Sequence, residues 1–264
     1  MYHRAQIYDL LYSHKDYEAE ANHVFKVLEQ RGIGSTSSLL EAGCGTCSHL
    51  RHFAKKFEYV SGFDLYDEMI QFAETKFDVS ENRRLFKADM IDLDVNEVLS
   101  KYTRDGKPFD AIVSLFGCVG YILGEQRLTS AFRNFYNLVR EGGIVVIETY
   151  MSPDDFQPDA ASMETHDGED FKIARISKSN FKYTNPQGED ENNQVQLHFN
   201  FMVATNLEPG DVDHFMDVHE MQLHSEQYIK RVGEAVGFTD VQLLSDENYK
   251  NMYVMTKPES KKLE

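Results

Sequence analysis

Glycine and acidic residues next to a short apolar run are the feature of this sequence best suited to bind a ligand. The apolar run that begins at Leu39 leads into Glu41, Gly43 and Gly45, and an amphipathic segment starts at His49. A strand, a tight glycine turn and a helix start together place backbone N–H groups beside a ligand. Such a turn lies at the carboxyl end of a strand, where open α/β sheets bind their ligands.

The neighbouring acidic residues narrow the kind of ligand. Asp64 ends a second apolar segment about twenty residues after the turn, an offset that suits a ribose diol. Asp89 follows a third such segment. Ser48 replaces the third glycine of the nicotinamide fingerprint, and no Walker-type phosphate-binding sequence is present. A turn lined by carboxylates therefore favours a ligand that is neutral or positively charged over a pyrophosphate.

Alternating strands and helices are predicted to position these residues. Such alternation is typical of a parallel sheet with right-handed crossovers. Asp16 is a predicted helix N-cap, and Gly32 is predicted to end that helix. Strands are predicted near 38–42, 59–64, 84–88, 109–115 and 143–150, and helices near 47–56, 66–77, 95–102 and 125–139.

The pattern changes after residue 150. Residues 151–170 show no clear period, and three extended runs follow at 171–183, 194–205 and 212–224. This pattern predicts an antiparallel meander that shapes a substrate pocket, buries a dimer interface, or both. A helix over 226–236 and strands over 238–245 and 250–257 then complete the first sheet. The expected units are an α/β domain over 1–150 and 225–258, an insertion over 151–224, and a tail over 259–264.

Composition excludes some classes of function. The net charge of −17 argues against broad nucleic-acid binding, which needs a basic surface, although a local basic patch could hold one phosphorylated small molecule. Without a long apolar run or an apolar N-terminal signal, we expect no membrane span and a cytoplasmic protein. The three cysteines do not suggest a disulfide framework.

Several side chains have both a structural and a functional interpretation. Cys44 and Cys47 form a C-x-x-C pair, which could be a redox or zinc site but is better explained as small buried residues. The spacing of the histidines predicts no metal site. His219 is either a core imidazole or a hydrogen-bond partner of the substrate. Arg175 lies on the opposite strand face from three lysines and could pair with a diphosphate.

The order of these landmarks resembles the class I S-adenosylmethionine (SAM) methyltransferases. The resemblance runs through 39–45, 63–64, 88–90, 109–114 and 142–147, and it departs at Cys47, where the family usually has a third glycine. It implies a Rossmann-like seven-stranded sheet with an inserted meander, and it favours Tyr8 and Tyr12 as a lid rather than simple packing. The cofactor residues that the resemblance implies are Tyr8, Tyr12, Glu41, Gly43, Gly45, Asp64, Leu65, Asp89, Met90 and Leu115.

Motifs along nearly the whole chain are similar to those of the N,N-dimethyltransferases of nucleotide-linked amino sugars in antibiotic biosynthesis. They lie at 8–12, 15–17, 115–121, 174–177 and 214–219, among others. This resemblance implies a homodimer that uses SAM to methylate a sugar amine. The proposed catalytic residues are Tyr2, Tyr121, His219 and Glu148, and the proposed substrate-binding residues are Arg175 and Tyr150.

One departure from the closer family concerns the pocket wall. The relatives commonly carry Glu-Pro-Trp-Trp after the fifth strand, where this chain has Glu148-Thr149-Tyr150. The acceptor therefore stays open. The alternatives are an N- or O-methyltransferase of another small molecule and a non-catalytic SAM-binding protein, with a nicotinamide-dependent reductase as a distant third.

Overall fold

The computed structural model describes residues 3–183, 193–205, 212–244, 249 and 251–260. Tyr2, one of the proposed catalytic residues, lies outside this range. The described chain builds two separate β-sheets, one with seven strands and one with four.

The larger sheet carries the predicted α/β architecture. Its strand order is β10-β11-β5-β4-β1-β2-β3, and all neighbours pair in parallel except β11, which runs antiparallel to both β5 and β10. The Rossmann-like fold class is thereby confirmed. The strands are β1 (Ser38–Ala42), β2 (Tyr59–Asp64), β3 (Arg83–Lys87), β4 (Phe109–Ser114), β5 (Val139–Glu148), β10 (Thr239–Leu244) and β11 (Met252–Thr256).

Helices cover both faces of this sheet, and their ends carry the expected caps. The Asp16 side chain accepts a hydrogen bond from the backbone N–H of Ala19, and Ser225 does the same for Tyr228. Gly237 ends the last helix at φ 117°. The helices are α1 (Ala5–Leu11), α2 (Tyr17–Glu29), α3 (Leu50–Phe53), α4 (Asp67–Glu74), α5 (Val95–Lys101), α6 (Glu125–Leu138) and α7 (Glu226–Val236), with a 3₁₀ turn at Cys118–Tyr121.

Three apolar clusters hold these layers together. One lies between the sheet and α5, α6 and α7, and the second lies on the other face under α2, α3 and α4. The third joins Ile7 and Leu11 of α1 to the inner face of the second sheet. The N-terminal helix is therefore attached to the inserted sheet as well as to the α/β domain. None of the helices described is long and apolar enough to cross a membrane.

The second sheet is the predicted antiparallel meander with one additional strand. Its order is β6-β7-β8-β9, formed by Ala161–Asp167, Phe171–Tyr183, Gln194–Thr205 and Val212–Gln222. β6 lies in the stretch for which the sequence predicts no regular structure. It is an edge strand whose residues are mostly exposed, so it has no apolar period and is ordered by pairing with β7.

The helix expected over 47–56 is much shorter than predicted. Only Leu50–Phe53 is helical, because Cys47 adopts φ 63°, in the left-handed region, and the preceding residues form turns. This backbone conformation also accounts for the family's usual glycine at that position, since glycine reaches positive φ without steric cost.

Candidate active site

A cavity of about 810 Å³ lies between the carboxyl ends of the parallel strands and the inner face of the meander. Gly43, Asp64 and Met90 contribute its wall on the α/β side, and His219 contributes on the meander side. Tyr8 of the N-terminal helix also lines the cavity. Chain segments that are far apart in sequence are therefore combined in one site, at the sheet edge where α/β proteins bind ligands.

The glycine turn is held close to the neighbouring strands. The N–H groups of Gly43 and Cys44 both donate to the carbonyl of Phe63, at 2.8 and 2.9 Å. Gly43 has φ 76°, and a Cβ atom there would lie 2.8 Å from the Cys118 Sγ. Gly45 has φ 52°. The turn is therefore packed too closely at Gly43 to admit a Cβ atom, and both glycines line the cavity.

Asp64 connects this turn to the next strand. One carboxylate oxygen accepts from the N–H of Gly45 at 2.9 Å, and the other accepts from the N–H of Tyr66 at 3.0 Å. Burial raises the pKa of Asp64, although these backbone hydrogen bonds oppose the shift. Each oxygen retains a second lone pair, so the carboxylate can also accept from a ribose hydroxyl.

Two of the expected cofactor residues are not on the cavity wall. Glu41 is 2% exposed because β1 is buried on both faces, and its Oε1 lies 3.6 Å from the Nδ1 of His49. Burial raises the pKa of Glu41, and its Oε2 finds no hydrogen-bond partner among the described residues. Leu115 is packed in the apolar cluster under α2. Both residues therefore lie behind the cavity wall, and their contact with a cofactor stays a prediction.

The segment after β3 is held by the side chain of Asn134, a residue that the sequence patterns did not single out. Asp89 accepts a hydrogen bond from the N–H of Ile91 at 2.8 Å. The side-chain amide of Asn134, on α6, donates to the carbonyls of Met90 and Ile91, each at 3.0 Å. In the sequence, the only sign of this contact was a polar amide next to the apolar positions of an amphipathic helix. Asp89, Met90 and Leu65 all line the cavity.

Both lid tyrosines line the cavity and also pack. The rings of Tyr8 and Tyr12 are 4.9 Å apart, and the Tyr12 ring meets Phe116 at the same distance. Arg175 donates to the hydroxyl of Tyr12 at 2.9 Å. Burial raises the pKa of both tyrosines, so their hydroxyls stay protonated. The packing and lid interpretations are therefore compatible.

Arg175 lies on the cavity wall, but its charge is already balanced. It forms an ion pair with Glu164, directly opposite on β6, and its guanidinium stacks 4.9 Å from the Phe199 ring centre. Its side chain is 12% exposed. A diphosphate would have to compete with the half-buried carboxylate of Glu164 for this arginine, which weakens Arg175 as a phosphate ligand.

Two other cations on the wall are more accessible. Lys178 pairs with Asp159 at 3.1 Å, but both side chains are more than half exposed. Arg127, in the first turn of α6, also lines the cavity and has no ion-pair partner among the residues that the structure describes. Arg127 could not be recognised from the sequence, because one arginine after an apolar loop forms no pattern.

Three of the proposed catalytic residues meet where the loop after β4 faces the meander. The hydroxyl of Tyr121 lies 2.7 Å from the Nδ1 of His219. Glu148 accepts from the N–H of Phe116 at 2.6 Å and thereby fixes a residue with φ 57°. Burial raises the pKa of Glu148. These three residues and Tyr150 all line the cavity, so Glu148 both supports the loop after β4 and faces the cavity.

The cysteine pair lies inside the glycine turn. Cys44 and Cys47 are buried free thiols. A hydrogen bond that the Cys44 thiol donates to Cys47, together with burial, raises the pKa of Cys44, so neither property favours the thiolate that metal binding or redox exchange requires.

Comparison with known proteins places this site in a family context. The family described as "Methyltransferase domain" matches residues 39–143. A dTDP-3-amino-3,4,6-trideoxy-α-D-glucopyranose N,N-dimethyltransferase of Streptomyces venezuelae is 32% identical over 228 residues, which cover 85% of each chain. A dTDP-3-amino-3,6-dideoxy-α-D-glucopyranose N,N-dimethyltransferase of Streptomyces fradiae is 27% identical over 89% of this chain and 83% of its own length.

Solved structures agree over almost the full chain. Streptomyces venezuelae DesVI superposes with a TM-score of 0.79 and 29% identity, covering 97% of this chain and 98% of its own. The sugar N-methyltransferase KedS8 from a Streptoalloteichus species gives a TM-score of 0.77 and 26% identity, covering 96% and 93%. The similarity includes the inserted meander as well as the α/β domain.

Proposed function

The chain belongs to the SAM-dependent methyltransferases, and we propose that its methyl acceptor is the amine of a nucleotide-linked amino sugar. The observation that carries this proposal is the cavity itself, which runs from the glycine turn at Gly43 to the inner face of the meander at His219. Cofactor and acceptor can therefore meet in one continuous cavity. The two dTDP-amino sugar N,N-dimethyltransferases with matching length support this choice of acceptor.

The residues of the α/β side would hold the cofactor. Gly43 and Gly45 provide the cradle, Asp64 suits the ribose hydroxyls, and Asp89 and Met90 border the base. When bound, SAM supplies an electrophilic methyl group on a sulfonium sulfur. The protein then mainly needs to align the acceptor and exclude water, and alignment alone can contribute roughly 7–11 kcal/mol.

The acceptor amine would be handled by groups at the far side of the cavity. A dry pocket lowers the pKa of an amine and so favours the neutral form with a free lone pair. Glu148 can hold the ammonium form before it loses its proton, and Tyr121 with His219 can orient the neutral amine. Burial lowers the pKa of His219, although Asp217 opposes this, so the imidazole is neutral near pH 7.

The nucleotide part of the substrate would lie against the inserted sheet. We assign residues 151–224 the role of a substrate cap. Lys178 and Arg127 are our candidates for the diphosphate, because an exposed ion pair such as Lys178–Asp159 is worth only about 0–1 kcal/mol and is easily exchanged. Arg175 would instead keep Tyr12 and the cap in position.

Turnover with amino-sugar nucleotides tests the proposed function. We expect purified protein to transfer methyl groups from SAM to a dTDP-linked amino sugar, detected by mass spectrometry, and dTDP to compete. Tyr121→Phe and His219→Asn should each lower kcat by about tenfold while SAM binding is retained, since each removes one orienting hydrogen bond from a reaction that needs little base strength. Tyr136→Phe, outside the cavity, is the matched control.

The alternatives give different outcomes in the same experiment. Methylation of hydroxyl acceptors alone would identify an O-methyltransferase. SAM binding without turnover of any amine would indicate a non-catalytic binding protein. Complete inactivity of Tyr121→Phe with intact SAM binding would contradict the modest role given to this hydroxyl.

We also propose a homodimer formed through the outer face of the meander. Met163 and Met216 are 74% and 71% exposed there, and Met163 pairs in register with Ile176, so the apolar side chains are neighbours. Polar residues such as Asn200 lie between some of these side chains, but so many exposed apolar side chains on one sheet face favour an interaction surface. We propose a second copy of the chain as the partner of this face, because it presents the same exposed side chains for a symmetric contact. These residues are Met163, Ile176, Met202, Val212, Met216 and Val218.

Light scattering tests this assembly. The wild-type protein should have the molar mass of a dimer, and Met216→Lys together with Ile176→Lys should produce a folded monomer, because two buried charges at a C2 interface are repeated by symmetry. Lys172→Ala, on the same face but already polar, should leave the dimer intact. A monomeric wild-type protein at micromolar concentration would contradict the proposal.

The cellular location remains an expectation from the sequence. The described cysteines are free, and Cys44 and Cys47 are also buried, which fits the reducing cytoplasm that we propose for the protein.

A further inference from the structure

A chain of three polar side chains runs from the cavity into the meander. The hydroxyl of Tyr121 is 2.7 Å from the Nδ1 of His219, and the Nε2 of the same ring is 3.2 Å from a carboxylate oxygen of Asp217. His219 and Asp217 are two residues apart on β9, so their side chains project from the same face of the sheet. Tyr121 comes from the 3₁₀ turn after β4.

The imidazole at the centre of this chain is held in place. The His219 side chain is 5% exposed, and its ring meets the edge of Phe199 at 4.9 Å and 89°. Its ring also packs against Tyr121 at 5.6 Å. Rotation of the imidazole that would exchange its two nitrogens is therefore opposed by packing on both sides.

The direction of the hydrogen bonds in this chain follows from which groups carry hydrogen. An ionised carboxylate only accepts, so the contact with Asp217 requires the hydrogen of neutral His219 to be on Nε2. The Nδ1 atom then carries the lone pair. The hydroxyl of Tyr121 must consequently donate to Nδ1, which leaves the lone pairs of its oxygen directed away from the imidazole.

We propose that Asp217 is a positioning residue that fixes the His219 tautomer and thereby makes the Tyr121 oxygen a hydrogen-bond acceptor towards the substrate amine. The part of this inference that concerns the amine rests on the proposed function. An amine that donates its N–H to this oxygen keeps its lone pair free to attack the methyl carbon. A Tyr121 hydroxyl that donated to the amine would instead occupy that lone pair and suppress the reaction.

The tautomer of His219 tests the first step without any substrate. In protein labelled with ¹⁵N-histidine, the His219 ring signals are identified by their loss in His219→Gln. We expect Nε2 to be protonated and Nδ1 to be bare in the wild type near neutral pH. Protonation at Nδ1 would overturn the proposal, whether or not an amino-sugar substrate has been found.

A double-mutant cycle tests the second step. Asp217→Leu, which keeps the side-chain size but removes the acceptor, should lower kcat about tenfold and leave the Kd for SAM unchanged. In a Tyr121→Phe background the same change should have no further effect, because Asp217 acts through the Tyr121 hydroxyl. Asp167→Leu, an exposed carboxylate on the same sheet, is the control. An equal loss in both backgrounds, or weakened SAM binding, would assign Asp217 a general structural role instead.

Discussion

Gly43→Ala is expected to weaken SAM binding by at least about 100-fold. Two costs combine at this position. A non-glycine residue at φ 76° is strained by about 1–3 kcal/mol, and the new Cβ would lie 2.8 Å from the Cys118 Sγ. The backbone cannot shift freely to relieve this contact, because the N–H of Gly43 is bonded to the Phe63 carbonyl at 2.8 Å.

Calorimetric titration with SAM measures this loss, and Gly34→Ala provides the matched control. Gly34 precedes β1, and a Cβ there meets no atom within 4 Å. The control should therefore bind SAM as the wild type does. Cys118→Ala in the Gly43→Ala background should recover only part of the affinity, since it removes the Sγ contact but leaves the backbone strain. Wild-type affinity in Gly43→Ala itself would show that the turn is not the cofactor cradle.

The glycine turn and its acidic neighbours could be predicted because their arrangement depends on local spacing. Gly43 and Asp64 each follow directly on an apolar run, and parallel strands bring their carboxyl ends to the same edge of the sheet. The structure places both residues on the cavity wall. What the spacing could not specify is that Asp64 also accepts the N–H of Gly45, a contact between two strand ends.

Arg175 illustrates what sequence patterns could not supply. The alternation of side chains along β7 predicted the strand face on which Arg175 lies. Its partner Glu164, however, belongs to β6, an edge strand with no apolar period. The ion pair that neutralises the arginine exists only after the two strands pair. Predicting a phosphate ligand from residue type alone therefore overlooked the charge that tertiary structure places beside it.

The surroundings of Glu41 could not be predicted either, for a related reason. Its position two residues before Gly43 suggested a cavity carboxylate, yet β1 is a central strand with neighbours on both sides and helices on both faces. A side chain of such a strand is buried unless it lies beyond the strand end. The sequence identified the strand, but not which residues would cover Glu41. One of them is His49, which lies directly before α3.

Acid should destabilise the fold through His224, by roughly 3 kcal/mol between pH 7 and pH 4. This histidine is fully buried, its ring stacks 5.5 Å from Tyr228, and neither ring nitrogen has a hydrogen-bond partner among the described residues. Burial lowers its pKa to about 4, from an ordinary value near 6.5. The folded state therefore favours the neutral form.

The sign of the effect follows from proton linkage. Above about pH 6.5 the imidazole is neutral in both states and its full contribution is present. As the pH falls towards 4, the unfolded chain takes up a proton that the folded chain does not, and stability is lost. Carboxylates with raised pKa values, such as Glu41 and Glu148, have the opposite effect, because their protonated forms are favoured in the folded state.

Comparing two variants isolates the histidine from those carboxylates. Urea unfolding at pH 7 and pH 4 should give wild-type protein a larger loss of stability than His224→Phe, by roughly 3 kcal/mol, since phenylalanine keeps the ring stacked on Tyr228 but cannot titrate. The carboxylate contributions are common to both proteins and cancel in the difference. Equal losses in the two proteins would mean that His224 accepts a proton in the folded state as readily as in the unfolded chain, which burial without a partner does not allow.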